Sequence, residues 1–206
     1  MKPGAITDQD VRVSGGSETS NYLVSANYFS QDGTIVGPSF KRYSARVNTG
    51  FKRGRLEVGE SVYLAYIDRR NVTGQPFDQV IRMPPTIPVY DPANLSGYGF
   101  GSDNNATFGT NPIGQQLKDD NTSRGYKLLG NVYGEYRFTD WLSYRLSLSL
   151  DFYNYQDKFF ARPGALSYNS PNNPFATLDD RNGRYFNTIV ENTLNFNKTF
   201  GKHGLS

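Results

Sequence analysis

Cysteine is absent from this sequence, and histidine occurs once, as His203. Without thiols there is no disulfide frame and no thiolate metal site. A single histidine leaves no basis for a zinc site or a His-based catalytic triad. No stretch of about 18 apolar residues is present, so no transmembrane helix is expected. The opening MKPGAITDQD lacks an apolar core and does not read as a secretory signal. The expectation is therefore either a protein that stays inside the cell or a piece of a longer precursor. The net charge is only +3, and Lys and Arg are scattered, which argues against a nucleic-acid partner. Acidic neighbours such as Asp119 and Asp120 diverge in an extended chain, so no paired-carboxylate catalyst is expected. No catalytic residue, cofactor or metal is assigned, and the chain is not read as an enzyme.

What is abundant is aromatic. Tyr and Phe number 15 and 14, and glycine 21, at a mean hydropathy of −0.61. A soluble β-protein has this composition, and so does an outer-membrane barrel, where only alternate wall residues meet lipid. The stretch DWLSYRLSLSLDF puts Leu142, Tyr144, Leu146, Leu148, Leu150 and Phe152 on one side. Ser143, Arg145, Ser147, Ser149 and Asp151 fall on the other. Period two is the signature of a strand with one apolar and one wet face.

The same reading predicts seven strands, at about residues 8–15, 21–30, 40–52, 55–69, 125–138, 141–157 and 184–199. No segment shows a helical period. GSET, KRG, TDW and GKHG read as tight turns; the connections between them are longer, with loops at about 71–124 and 158–183. If neighbours pair antiparallel, the tight turns share one end of the sheet and the long loops the other, as in outer-membrane barrels. Tyr22, Phe51, Phe138, Trp141 and Phe200 lie near tight turns, as an interfacial aromatic girdle would. Several strands also exceed the usual 5–6 or so residues of soluble sheets. The soluble alternative is a β-sandwich whose apolar faces cover each other.

Specific motifs then point to a family. VSGGSETSNYLVSANYFSQDGTIVGPSFKRYSARVN, Val13 to Asn48, resembles a run typical of SusC/RagA-type TonB-dependent outer-membrane receptors. The matching positions are Ser14, Gly15, Gly16, Tyr22, Ser25, Tyr28, Asp32, Gly33, Phe40 to Ser44, Arg46 and Asn48. RMPPTIPVYDPANLSGYG and NPIGQQL resemble two further family segments, in the family's order. The resemblance implies an all-β, up-and-down antiparallel meander that forms part of a 22-stranded transmembrane barrel around a plug. It implies residence in the outer membrane of a Gram-negative bacterium. It implies TonB-driven uptake of oligosaccharides or peptides, with a SusD-like surface lipoprotein as partner. Nothing in residues 1–206 resembles the plug, so the chain is expected to be an internal piece of barrel wall. A surface-attached carbohydrate-binding module and a passive porin are the rival readings.

In that frame Leu142, Tyr144, Leu146, Leu148, Leu150 and Phe152 face lipid, and Arg42, Arg46, Arg145 and Asp151 line the lumen. Sugar rings stack on aromatic faces, and binding sites collect on long external loops. Tyr98, Phe100, Phe108, Phe159, Phe160 and Tyr168 are therefore the candidate ligand contacts. GYGFGS is read as a flexible loop rather than a phosphate cradle, since it neither follows a strand nor opens a helix. DDRNG is read as a turn before the seventh strand, and PPTIP as a stiffener of its loop.

Overall fold

The computed structural model describes residues 3–105, 107–170, 174–201 and 203–205. Seven strands form one sheet in chain order: β1 (Ile6–Gly16), β2 (Ser20–Asp32), β3 (Ser39–Arg53), β4 (Leu56–Arg70), β5 (Asp120–Thr139), β6 (Leu142–Ala161) and β7 (Thr177–Phe196). Every neighbouring pair is antiparallel. The meander expected from the alternation is therefore the observed one. A separate hairpin, β8 (Lys198–Phe200) with β9 (His203–Leu205), follows and holds His203 in a strand rather than in a turn.

Register carries the alternation across the whole sheet. Leu148 stands opposite Val132 on one side and Val190 on the other. Val62 stands opposite Val47 and Gly130, and Val24 opposite Val13 and Val47. Because directly paired residues share a face, the apolar sets of all seven strands merge into one continuous surface. Glu60, between Thr49 and Val132, is a carboxylate within it. No second sheet covers this surface among the described residues. Leu148 is 49% exposed and Val132 54%, which removes the sandwich reading.

Two aromatic rows bound the surface. At the loop end Tyr28, Tyr43, Tyr66 and Tyr126 run across four strands, with successive ring centroids 5.0, 6.3 and 4.9 Å apart. At the turn end stand Tyr22, Phe51, Tyr136 and Tyr144, with Phe138 packed edge-on against Tyr136 at 5.2 Å. Tyr126 and Tyr136 are ten residues apart on β5. At about 3.4 Å per residue and a tilt of about 40°, they are separated by roughly 26 Å along the barrel axis, close to the apolar band of about 25 Å that outer-membrane barrels carry.

The ends differ as predicted, with corrections. The KRG turn closes on Gly54, whose φ of +59° suits the left-handed region that glycine enters freely. The long loops are shorter than 71–124 and 158–183, because β5 begins at Asp120, β6 runs on to Ala161 and β7 starts at Thr177. The extra rungs, such as Asp120↔Phe160 and Phe159↔Asp179, satisfy backbone groups. Their alternation is weak. DDRNG consequently lies inside β7, not in a turn before it.

Two short helices also escape a periodicity search: α1 (Pro76–Arg82) and α2 (Pro112–Leu117). Each is under two and a half turns, too short to show a period, and each opens on proline at its first turn. No helix of the described residues is long and apolar enough to cross a membrane.

Candidate functional site: the polar face and the loop cap

The face opposite the apolar surface carries the charges. One rung reads Arg12, Ser25, Arg46, Tyr63, Leu129, Asp151 and Asn187 from β1 to β7. The sheet thus puts Arg42, Arg46, Arg145 and Asp151 on one face, opposite Leu142, Tyr144, Leu146, Leu148, Leu150 and Phe152. Three of the four are arginines laid on rings. Arg42 lies 5.6 Å from the Phe29 centroid, Arg46 5.5 Å from Tyr63 and Arg145 3.8 Å from Tyr133. Tyr133 itself covers Gly59, where a Cβ would come within 2.6 Å of the ring, so glycine is what lets the ring lie flat. Its hydroxyl meets Glu57 Oε1 at 3.3 Å, and Arg137 pairs with Glu57 at 3.6 Å. Among the described residues Asp151 Oδ1 has no hydrogen-bond partner; Lys127 Nζ stands 3.9 Å away.

The two long loops fold together into one cap at the far end of the sheet. Asn111 organises it. As N-cap of α2 it accepts from Ile113 N and Gly114 N at 3.1 and 2.9 Å. Its amide nitrogen donates to Val89 O and Gly99 O, both at 2.8 Å. All its capacity is used, which is what its 1% exposure requires. Asn111 N in turn donates to Leu166 O at 2.8 Å, tying the first loop to the second. Gln116 clasps Thr73 at both ends, donating to its carbonyl at 2.6 Å and accepting from its N–H at 3.0 Å. Below them Lys118 pairs with Asp119 at 3.1 Å, Arg162 with Asp120 at 2.8 Å, and Arg70 Nη2 donates to Gln116 O and Asp119 O.

The expected ligand aromatics separate. Phe159 and Phe160 are strand residues, correcting their assignment to a loop: Phe159 shares the polar face, and Phe160 the opposite one beneath the Arg162 guanidinium. Tyr98 lies against Tyr90 within the cap, ring centroids 5.5 Å apart and planes tilted by 36°. Burial, and then the neighbouring Tyr90 hydroxyl, raise its pKa above the ordinary tyrosine value. Tyr168 donates to Asp103 Oδ1, and that hydrogen bond, with the charge of Asp103, raises its pKa too. Phe100 is half-buried, and Phe108 is 85% exposed. In GYGFGS, Tyr98 bridges Tyr90 and Gly97 takes a φ of +77°. PPTIP forms a turn, Ile87 N donating to Pro84 O.

Sequence reading missed Asn111, Gln116, Tyr133 and Arg12. For Asn111 a signal existed, because Asn followed by Pro is the N-cap and first position of a helix. For Tyr133 and Gly59 the distance along the chain hides a contact that only register creates. Among the described residues no group of acidic, histidine or cysteine side chains is placed to hold a metal ion.

No protein-family model matches the chain. The TonB-dependent receptors P3 and P26 of Formosa agariphila align with 98% of it, at 27% identity over 217 residues and 28% over 208. The chain spans about a fifth of the length of these curated relatives, 21% and 20%. Among solved structures, the RagAB peptide transporter superposes with a TM-score of 0.74 at 22% identity, covering 96% of this chain and 23% of that one. The RagAB peptide importer in its "open-open" state gives 0.75 at 22% identity, with 96% and 22% covered. The chain is thus similar along nearly its whole length to a segment of TonB-dependent receptors, and it shares its antiparallel strand architecture with the RagAB transporter.

Proposed function

We propose that this segment is wall and external loop of an outer-membrane importer that takes up a large nutrient, an oligosaccharide, with energy delivered through the TonB complex. The observation that carries the reading is the sheet itself. One apolar face, broken by the Glu60 carboxylate, fits between two aromatic rows roughly 26 Å apart, while the other face is polar. Such a wall separates lipid from a wet interior. Its two edges, β1 and β7, are where further strands of a closed barrel would pair. The set of polar-face residues Arg42, Arg46, Arg145 and Asp151 then lines the lumen, and the cap stands outside the membrane. The work is transport without bond chemistry.

The cap also suits a surface lipoprotein partner of the SusD type. On α1, Phe77, Val80 and Ile81 are exposed, Ile81 at 86%. Phe108 is held beside the end of the same helix, since Thr107 Oγ1 donates to Arg82 O at 3.0 Å. Apolar side chains gathered on an external loop mark a protein-contact surface.

The test is uptake of labelled oligosaccharides by cells carrying the full-length receptor, with and without a working TonB system. Uptake that vanishes without TonB supports the reading. TonB-independent uptake indicates a passive porin. A receptor found wholly in the aqueous phase on detergent partition, with sugar affinity intact, indicates a soluble binding module.

A further inference from the structure

The apolar surface has a hollow of about 790 Å³ where the tyrosine row of the loop end meets the next rung inward. That rung reads Val11, Ala26, Ala45, Leu64, Leu128 and Phe152. Its two alanines face each other on β2 and β3, with Tyr28 and Tyr43 on one side and Val24 and Val47 on the other. Methyl groups beside phenol rings leave a trough on the order of 10 Å wide, two strand spacings. Strands that close a barrel would pair at β1 and β7, and a plug would lie against the opposite face, so neither would cover this trough.

Beyond the tyrosine row the same face turns basic around one residue. Thr122 stands opposite Arg70 on β4 and Lys158 on β6, and Arg124 is its neighbour on the same face of β5. Arg70 commits only Nη2 and Arg124 only Nε, so both guanidiniums keep donors free among the described residues. The nearby carboxylates are held elsewhere: Asp68 accepts from Arg124 Nε at 3.3 Å, and Asp120 pairs with Arg162 at 2.8 Å. Asp180, the register partner of Lys158, accepts from Gln156 at 2.9 Å, and Lys158 has no ion pair among the described residues. Thr122 lies four residues from Tyr126, roughly 10 Å along the barrel axis at about 3.4 Å per residue and about 40° of tilt. The headgroup zone adds roughly 5–7 Å to each side of a bilayer's core, and long cationic side chains bend to reach it. Guanidinium forks and an ammonium are the donors that suit a phosphate. We infer that this outer face binds an anionic lipid, its phosphate held by Arg70, Arg124 and Lys158 around Thr122 and one acyl chain in the trough over Ala26 and Ala45. The inference rests on the membrane-wall reading above and adds a lipid site on the face turned away from the lumen.

The test uses the purified full-length receptor in micelles holding equal amounts of phosphatidylglycerol and phosphatidylcholine with the same acyl chains. Native mass spectrometry counts the lipids that stay bound. Phosphatidylglycerol is expected to exceed phosphatidylcholine by at least about tenfold, since each cation beside an anionic headgroup adds roughly a fivefold factor. The preference should fall toward unity in Arg124→Gln/Lys158→Gln. Filling the trough with Ala26→Leu/Ala45→Leu should remove one bound lipid per receptor. Heat-modifiable gel migration checks that each variant is folded. Equal retention of the two lipids by the unaltered receptor overturns the inference, with no variant needed. A preference that survives the arginine and lysine changes overturns it, because the headgroup then sits elsewhere on the receptor. An unchanged lipid count in the filled trough overturns it as well, and so does displacement of the lipid by glycerol 3-phosphate, which indicates a soluble phosphate instead. A receptor that partitions wholly into water fails the membrane reading itself, whereas TonB-dependent uptake with no lipid preference fails this inference alone.

Discussion

The wall buries the side chain of Ala65 and little else, whereas the cap buries Thr107, Asn111, Gln116 and Asp119. One region is a sheet a single layer thick with no core; the other is a small fold held by satisfied polar groups. The difference follows from what surrounds each. On the proposed reading the wall's leucines and tyrosines are covered by lipid and need no partner within the protein. The cap stands in water with too few apolar residues to form a core, Ile87 and Ala165 being the buried ones. It gains order instead from side chains that each close several backbone groups.

Two substitutions sharpen this contrast most. Leu148→Arg places a charge midway between the aromatic rows. In the full-length receptor it is expected to cost about 2–4 kcal/mol of folding into lipid vesicles. Ser147→Arg, on the opposite face, should stay within about 0.5 kcal/mol. Urea titrations of both variants in vesicles compare them directly, and equal losses would erase the distinction between the faces. Asn111→Ala is next. It leaves Val89 O and Gly99 O without their donor and removes the cap of α2. The expected loss is about 1–3 kcal/mol, confined to the cap. Hydrogen exchange should then rise across residues 85–117 while β5 and β6 keep their protection. A uniform rise would mean that wall and cap are one cooperative unit.

The smallest effect is a pH dependence. Tyr168 has its pKa raised by the hydrogen bond to Asp103. A tyrosine whose folded pKa lies above its unfolded value stabilises the protein fully below the unfolded value, about 10. That contribution is lost as pH rises through the folded one. The tie between residues 103 and 168 should therefore hold through neutral pH and release only in strong alkali. Tyr168→Phe should abolish that step in a fluorescence titration of the cap, while leaving the wall's signal unchanged.

Legibility followed the same boundary. Between the aromatic rows, where one face is apolar and the other polar, period two holds and the strands are readable. Beyond the rows that contrast fades, and the strands were read short: β7 begins at Thr177 and not near 184, and β5 at Asp120 and not near 125. Phe159 and Phe160 were assigned to a loop for that reason. The cap was legible only as a loop, because α1 and α2 are shorter than the window over which a helical period shows. Of the site, the face shared by Arg42, Arg46, Arg145 and Asp151 could be read from parity alone. That Arg145 rests on Tyr133, and Tyr133 on Gly59, could not.

The sequence by itself determined the strands, their two faces and which end holds the short turns. These follow from alternation and glycine placement, which are local properties of the chain. Tertiary structure alone decided which residues meet across strands and how the two loops join. Those contacts depend on register and on hydrogen bonds between positions dozens of residues apart, and nothing in the local pattern encodes such distances.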